Sequence, residues 1–140
     1  NAEQRRLAAL MSEHGADVIL GHHPHVLQPI EWIGDTLCAY SLGNLASGMA
    51  EWQNMIGGFL EFELVQMSDG AVRVENPAFV PTVFHYGANN LGTHIYFLRD
   101  YTEALAAKHG TGHIYGSRAT AADMRAYAEK ILGDFLRIDP

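Results

Sequence analysis

The fold of this chain is decided by residues 16–28, which read Ala-Asp-Val-Ile-Leu-Gly-His-His-Pro-His-Val-Leu-Gln. The apolar run at 16–20 predicts a short buried strand, and Gly21 begins a polar loop directly after it. Residues 3–14 predict a helix, because their apolar side chains recur at helical spacing and Gly15 follows where helices often end. A helix, a turn, an apolar strand and a polar loop together predict an α/β layer, in which functional sites gather beyond the carboxyl ends of the strands.

The composition is that of a folded, acidic protein. The 140 residues are 48% hydrophobic and 18% charged, which excludes a disordered chain, and the net charge is −7. This charge disfavours broad electrostatic binding to nucleic acid or to an anionic membrane surface, so we expect no nucleic-acid partner. The single cysteine, Cys38, has apolar neighbours and is predicted to be a buried thiol rather than a nucleophile.

Two β-hairpins are predicted after the polar loop. The first pairs residues 29–33 with 36–41 around Gly34-Asp35, a pair suited to a two-residue type II′ turn. The second pairs 59–67 with 71–75, where apolar and charged residues alternate. One face of the second hairpin is therefore expected to be buried and the other exposed to water.

The remaining segments carry weaker signals. Residues 42–54 and 85–93 are predicted to be loops, and 78–84 an edge strand, because prolines at 77 and 81 interrupt it. A short helix is predicted over 101–108, with Asp100 and Glu103 as a capping box. A longer helix after Thr120 carries an apolar stripe that is interpreted as core or interface. The stripe consists of Met124, Tyr127, Ala128, Ile131, Leu132 and Phe135.

Three histidines within four residues, His22, His23 and His25, follow the first strand. Neutral imidazole is the commonest side-chain metal ligand, and an H-x-H pair on an extended loop can direct two rings toward one metal centre. Pro24 stiffens the spacer because its φ is fixed. The residues alone leave two interpretations open, metal ligation and ordinary loop histidines.

Two motifs resemble those of a known family. Residues 21–28 resemble a Gly-x-His-Pro-His-Val-x-Gln motif of the bacterial capsule-synthesis family that includes CapA, the poly-γ-glutamate synthesis proteins with a calcineurin-like metallophosphatase fold. Residues 40–44, Tyr-Ser-Leu-Gly-Asn, resemble the next motif of the same family. The resemblance implies an α/β (α+β) fold, the C-terminal portion of an α/β/β/α sandwich, with mainly one sheet, β-hairpins and covering helices. Residues 1–140 are then expected to be a single domain cut from a larger one, with residues 1–2 as the remnant of a cleaved tag.

The resemblance also implies a set of site residues. His23 and His25 match the two metal-ligand positions of the superfamily's Gly-His-x-His motif. His22 occupies a variable position and is expected to donate to a substrate oxygen. An alternative register uses His22 and His25 as the ligands. The cofactor implied is a divalent ion, Mn, Zn or Fe. The superfamily's other ligands come from Asp-x-His, Gly-Asp and Asn-His motifs upstream of Gly-His-x-His, and this sequence contains none of them, so the site is expected to be incomplete and the chain alone inactive.

Other polar residues are given structural roles. The Gly43-Asn44 pair is not the superfamily's Gly-Asn-His motif, because Leu45 stands in place of the histidine; Asn44 is expected to adopt αL geometry and bond its own loop. Glu61 and Glu63 belong to an exposed strand face and predict no acid/base pair. The remaining histidines are predicted to be surface or cap residues; they are His14, His85, His94, His109 and His113.

The function that the resemblance implies is metal-dependent hydrolysis or transfer in making or anchoring poly-γ-glutamate capsule. It would take place at the bacterial cell envelope, on the extracellular face of the membrane. The partners expected are the missing N-terminal half of the domain, a second copy bound through an exposed apolar face, and a membrane polymer-synthesis complex. One alternative is a non-catalytic scaffold or polymer-binding component of such a complex. A second alternative is an unrelated metal-binding module that uses the histidine cluster alone.

Overall fold

The computed structural model describes residues 1–138 and confirms the predicted mixed α/β class. The strands are β1 Val18–Leu20, β2 Ile30–Ile33, β3 Thr36–Ala39, β4 Ile56–Gln66, β5 Val72–His85 and β6 His94–Phe97. The α-helices are α1 Ala2–Glu13, α2 Glu103–Ala106 and α3 Ala121–Leu132. Short helical turns lie at Trp52–Met55, Leu98–Asp100, Thr111–Tyr115 and Gly133–Phe135. No helix within residues 1–138 has the length and apolarity needed to cross a membrane.

The first sheet has the strand order β1-β3-β2, with β1 parallel to β3 and β2 antiparallel to it. The predicted first hairpin is confirmed, and Gly34 supplies the positive φ of 59° that its turn requires. Helix α1 covers one face of this sheet, where Ala8 packs against Cys38 and Tyr40. Cys38 is fully buried, as predicted, and burial raises the pKa of its thiol, so it has the environment of a packing residue rather than a nucleophile.

The second sheet has the order β4-β5-β6 and is antiparallel throughout. The prediction of an edge strand at 78–84 was wrong, because β5 is the central strand of this sheet and β6, which the sequence did not predict, pairs along its second side. Pro77 and Pro81 are accommodated because β6 pairs with Thr82–His85 only. Both prolines therefore lie beyond the end of β6. A bulge between Glu61 and Glu63 of β4 shifts the pairing register of β4 and β5 near Pro77.

The strands form two three-stranded sheets, where mainly one was expected, and short bridges connect them. Leu27 bridges to Leu42, which prolongs the first hairpin, and Gly43 bridges to Gly57 at the start of β4. The segment after β3 therefore runs between the two sheets. This segment contains the second family-like motif, at residues 40–44.

The C-terminal third packs onto the sheets through α3. The apolar stripe predicted on this helix is confirmed as core, since Met124, Ala128 and Leu132 are buried against residues such as Phe79 and Val83 of β5. Thr120 caps the helix in a capping box with Asp123.

The second predicted helix is shorter than expected, and its predicted cap was wrong. Thr102, rather than Asp100, is the N-cap of α2, and its hydroxyl accepts a hydrogen bond from the Leu105 backbone. The Glu103 carboxylate accepts bonds from the backbone N–H groups of Ala121 and Ala122, so it satisfies the start of α3 instead.

Two of the remaining histidines are core residues, contrary to prediction. His85 and His109 are 7% and 2% exposed, and their ring centroids lie 5.1 Å apart. The long-range pairing of β5 with β6 and the packing of the 101–111 segment bury them, and neither event can be read from local sequence. His14 is a cap residue as predicted, with Nδ1 2.8 Å from the Leu10 carbonyl oxygen, and His94 and His113 are exposed.

Candidate metal centre

The histidine loop leaves the first sheet at the carboxyl end of β1. The Gly21 N–H donates to the Ala39 carbonyl at 2.7 Å, which extends the pairing of β1 with β3 by one residue. A Cβ at position 21 would lie 2.2 Å from the Tyr40 carbonyl oxygen, so any residue larger than glycine collides with the backbone. The close approach of these two chains explains the glycine that begins the motif.

The second motif lies directly beside this loop. Gly43 has a φ of +70°, and a Cβ there would lie 2.2 Å from the Ile56 carbonyl oxygen. Gly43, and not Asn44 as predicted, is thus the residue in the left-handed region. This turn places the Asn44 side chain against the histidine loop, so the fold brings the two motifs together.

Two of the three histidines form a pair. The ring centroids of His23 and His25 lie 6.2 Å apart with an interplanar angle of 45°. Two imidazoles that bind one ion through bonds of about 2.0–2.1 Å hold their centroids roughly 5–6 Å apart, so the observed pair is close to that arrangement. His22 is also exposed but borders the groove between α1 and β1, beside Leu7 and Met11. This placement favours the register with His23 and His25 over the one with His22 and His25.

The backbone of the loop is strained at both paired histidines. His23 has a φ of 92° and His25 a φ of 59°, in the region that non-glycine residues seldom occupy. Such conformations cost on the order of 1–3 kcal/mol each and persist where surrounding contacts impose them, often at functional sites. For His25 the imposing contacts are visible, since Asn44 and Asn54 both donate side-chain N–H groups to its carbonyl oxygen, at 3.3 and 3.0 Å.

Asn44 also contacts the His25 ring. Its Oδ1 lies 2.9 Å from His25 Nδ1, and its Nδ2 donates to the Asn54 carbonyl at 2.9 Å. Asn44 is only 8% exposed. The prediction that Asn44 bonds its own loop is confirmed, but its contact with His25 was missed, and so was Asn54, which carries no motif signal of its own.

Comparison with known proteins places these motifs in a family. Residues 1–49, which include both motifs, match the family described as "Bacterial capsule synthesis protein PGA_cap". The PGA biosynthesis protein CapA of Bacillus subtilis (strain 168) is 40% identical over 74 residues, and the capsule biosynthesis protein CapA of Bacillus anthracis is 51% identical over 41 residues. Residues 1–49 are therefore similar to CapA-type capsule synthesis proteins.

The similarity to CapA proteins covers part of each sequence. The Bacillus subtilis alignment covers 53% of this chain and 20% of the relative, and the Bacillus anthracis alignment 29% and 10%. The chain thus spans about a fifth or less of the length of the curated relatives that it matches. No solved structure matches it significantly.

The donor set of this chain fits part of a metal site. Imidazole nitrogens suit Zn, Fe and Mn, so the type of ligand that His23 and His25 offer fits the expected ions. Within residues 1–138 there is no group of three or more His, Cys, Asp or Glu side chains that could hold a metal ion. A tetrahedral or octahedral ion needs at least two more ligands than the His23–His25 pair provides.

Proposed function

We propose that this chain supplies His23 and His25 as two ligands of a divalent metal centre, in a longer CapA-family protein that hydrolyses or transfers a bond in envelope polymer synthesis. The family itself is that of capsule synthesis proteins. The observation that carries the proposal is the His23–His25 pair, held at the end of β1 with one ring fixed by a buried asparagine. Sites at the carboxyl ends of strands are typical of α/β layers.

In this proposal, two of the histidines hold the metal ion and the third contacts the substrate. A bound divalent ion supplies Lewis acidity and activation of water at neutral pH. His23 and His25 would hold the ion, and the fixed φ of Pro24 stiffens the spacer between them. His22, exposed at the start of the loop, is proposed as the proton donor to a substrate oxygen.

The proposed setting follows from the relatives. The Bacillus subtilis protein is named for PGA biosynthesis, and we propose poly-γ-glutamate capsule as the polymer for this chain too. The site of action would be the extracellular face of the cell membrane, within a polymer-synthesis complex. The remaining metal ligands would come from the preceding, N-terminal half of the domain, whose ligands include a bridging carboxylate in two-metal sites of this class.

A non-catalytic scaffold is the second candidate. Its support is the ligand count, because the described residues offer only a pair of histidines and no acidic partner. A CapA-family protein with a degenerate site would bind polymer or partner proteins through the same fold. Intact Asp-x-His and Asn-His motifs in the full-length sequence favour the enzyme, and their loss favours the scaffold. An unrelated metal-binding module is set aside, since the histidine loop lies within residues 1–49, which match the capsule-synthesis family.

Metal binding tests the proposal directly. We expect this chain to bind Zn²⁺ or Mn²⁺ with a dissociation constant weaker than about 1 μM, because water must complete the coordination shell of two imidazoles. Calorimetric titration measures it, and His25→Ala should abolish the heat of binding while His113→Ala, on an exposed histidine outside the loop, should preserve it. Binding that survives His25→Ala would rule out the proposed ligand pair, and submicromolar binding would show a more complete site.

A homodimer is also expected, through the second sheet rather than through the α3 stripe. The α3 stripe is core, but an apolar face is available on the second sheet, where Phe59, Ile95 and Phe97 are 44%, 47% and 40% exposed. Strand pairing places these three on one face, since Phe97 is opposite Thr82 and Ile95 opposite Phe84. Burying about 500 Å² there would contribute roughly 12 kcal/mol, against about 4–15 kcal/mol for association. The expected dimer is therefore modest in affinity.

Sedimentation equilibrium over a hundredfold range of concentration measures this association. The dimer should be insensitive to salt, because its contacts are apolar. Ile95→Asp should shift the protein to monomer, and Leu91→Asp, at a more exposed apolar residue in the 86–93 loop, should leave the dimer intact. A monomer at every concentration would refute the prediction.

A further inference from the structure

We infer that Asn44 is the positioning residue of the metal site: it holds His25 with the proton on Nδ1, so that Nε2 is the nitrogen presented to the ion. The part of this inference that concerns metal rests on the proposed function. The part that concerns the proton follows from the hydrogen bonds around Asn44 alone.

The orientation of the Asn44 amide is determined by its other contacts. Two carbonyl oxygens, those of Asn54 and His25, lie 2.9 and 3.3 Å from Nδ2. A carbonyl accepts and never donates, so the atom facing both of them must be the NH₂ group. The amide oxygen is then the atom that faces the ring.

The tautomer of His25 follows from that orientation. Oδ1 of Asn44 lies 2.9 Å from His25 Nδ1 and is an acceptor, so Nδ1 must carry the proton and donate it. In a neutral imidazole the other nitrogen then keeps its lone pair free. Metal-binding histidines commonly donate their second ring N–H to an oxygen in this way, which fixes the tautomer and the orientation of the ring.

The identity of residue 44 matters as much as its position. A carboxylate at position 44 could accept a hydrogen bond from His25. Its second oxygen, however, would face the two carbonyl oxygens to which Nδ2 now donates. An alanine would remove all these bonds at once. Asparagine combines an acceptor for the ring with donors for the backbone that holds His25 at its φ of 59°. Asn44 itself is held by the turn at Gly43, where the chain passes the backbone of Ile56 too closely for a side chain.

Asn44 and Asn54 make different hydrogen bonds to His25. Asn54 donates to the same His25 carbonyl at 3.0 Å, and the ring nitrogen Nδ1 is bonded by Asn44. Asn54→Ala therefore weakens the support of the loop but leaves the bond to the ring in place. It is the matched control for Asn44→Ala.

The experiment is nitrogen NMR of the imidazole rings in the 140-residue protein, first without metal and then during titration with Zn²⁺. In the unsubstituted, metal-free protein we expect His25 in the Nδ1–H form, a result that needs no variant and so does not depend on a substitution folding. Asn44→Ala should lose that preference and weaken Zn²⁺ binding by about 10- to 100-fold, the usual cost of removing an outer-shell partner. Asn54→Ala should retain the Nδ1–H form.

The outcomes separate this inference from the proposed function. His25 in the Nε2–H form in the metal-free protein overturns the role of Asn44, even where Zn²⁺ binds. An Nδ1–H form with no response of the His25 ring to Zn²⁺ supports the positioning by Asn44 and overturns the metal site. An unchanged tautomer in a folded Asn44→Ala variant overturns the inference as well.

Discussion

His25→Ala in a full-length protein that carries this chain is expected to reduce phosphoester hydrolysis on the order of a hundredfold or more. Loss of an outer-shell partner of a metal ligand typically costs 10- to 100-fold, and loss of the ligand itself should cost at least as much. His25 is the histidine with the most support for this role, since it belongs to the His23–His25 pair and its ring is bonded to Asn44. Release of p-nitrophenol from p-nitrophenyl phosphate and from the corresponding diester, with added Mn²⁺ or Zn²⁺, is the measurement.

His113→Ala is the matched control for this experiment. His113 is exposed, and its Nε2 lies 3.1 Å from the Ala107 carbonyl, in the C-terminal third and outside the loop. Its replacement should change the rate less than about twofold, as surface substitutions usually do. Equal and small losses from the two variants would favour the scaffold over the enzyme. The 140-residue chain by itself should show no hydrolysis above the blank, because its described residues hold only part of a ligand set.

The elements that the sequence predicted well are those whose signals are local. Helix α1, the two hairpins and the apolar stripe of α3 depend on periodicity and turn residues within ten or so neighbours, and all were found. The bounds agree closely except in the second hairpin, where β5 continues to His85 instead of ending at residue 75. The turn at Gly34 is such a case, because a single residue with positive φ defines it. The histidine loop was located by the same kind of information, a motif directly after an apolar strand.

The elements that the sequence did not predict depend on contacts between distant residues. Strand β6 lacks a clear alternation and is ordered by pairing with β5, which in turn becomes a central strand despite its prolines. The burial of His85 has the same origin. Asn44 and His25 are 19 positions apart, so their bond could be recognised only once the two motifs were found to be adjacent.

Acidification is expected to destabilise the fold through His85, on the order of 2 kcal/mol between neutral pH and about pH 4.5. Burial, and then the nearby His109 and His94, lower the pKa of His85 to about 4. Burial likewise lowers the pKa of His109. The groups that face His85 are His94 and Tyr96 of β6, Tyr101, and His109, and its Nδ1 lies 2.8 Å from the Tyr101 hydroxyl.

The sign of this effect follows from which state takes up the proton. An unfolded histidine has a pKa near 6.5, so below about pH 6.5 the unfolded chain binds a proton that folded His85 does not. The free energy of unfolding therefore falls with decreasing pH from about 6.5 down to the folded pKa. Above that range both states are neutral, and His85 contributes no pH dependence.

Carboxylates also titrate in the lower part of this range, so the comparison must be made between variants that share them. His85→Gln keeps a polar group beside Tyr101 but cannot take up a proton, and His113→Gln is its exposed counterpart. Urea unfolding of the three proteins across this pH range should show a shallower loss of stability for His85→Gln, with His113→Gln following the unsubstituted protein. Parallel curves for all three would mean that His85 takes up its proton as readily in the folded chain as in the unfolded one.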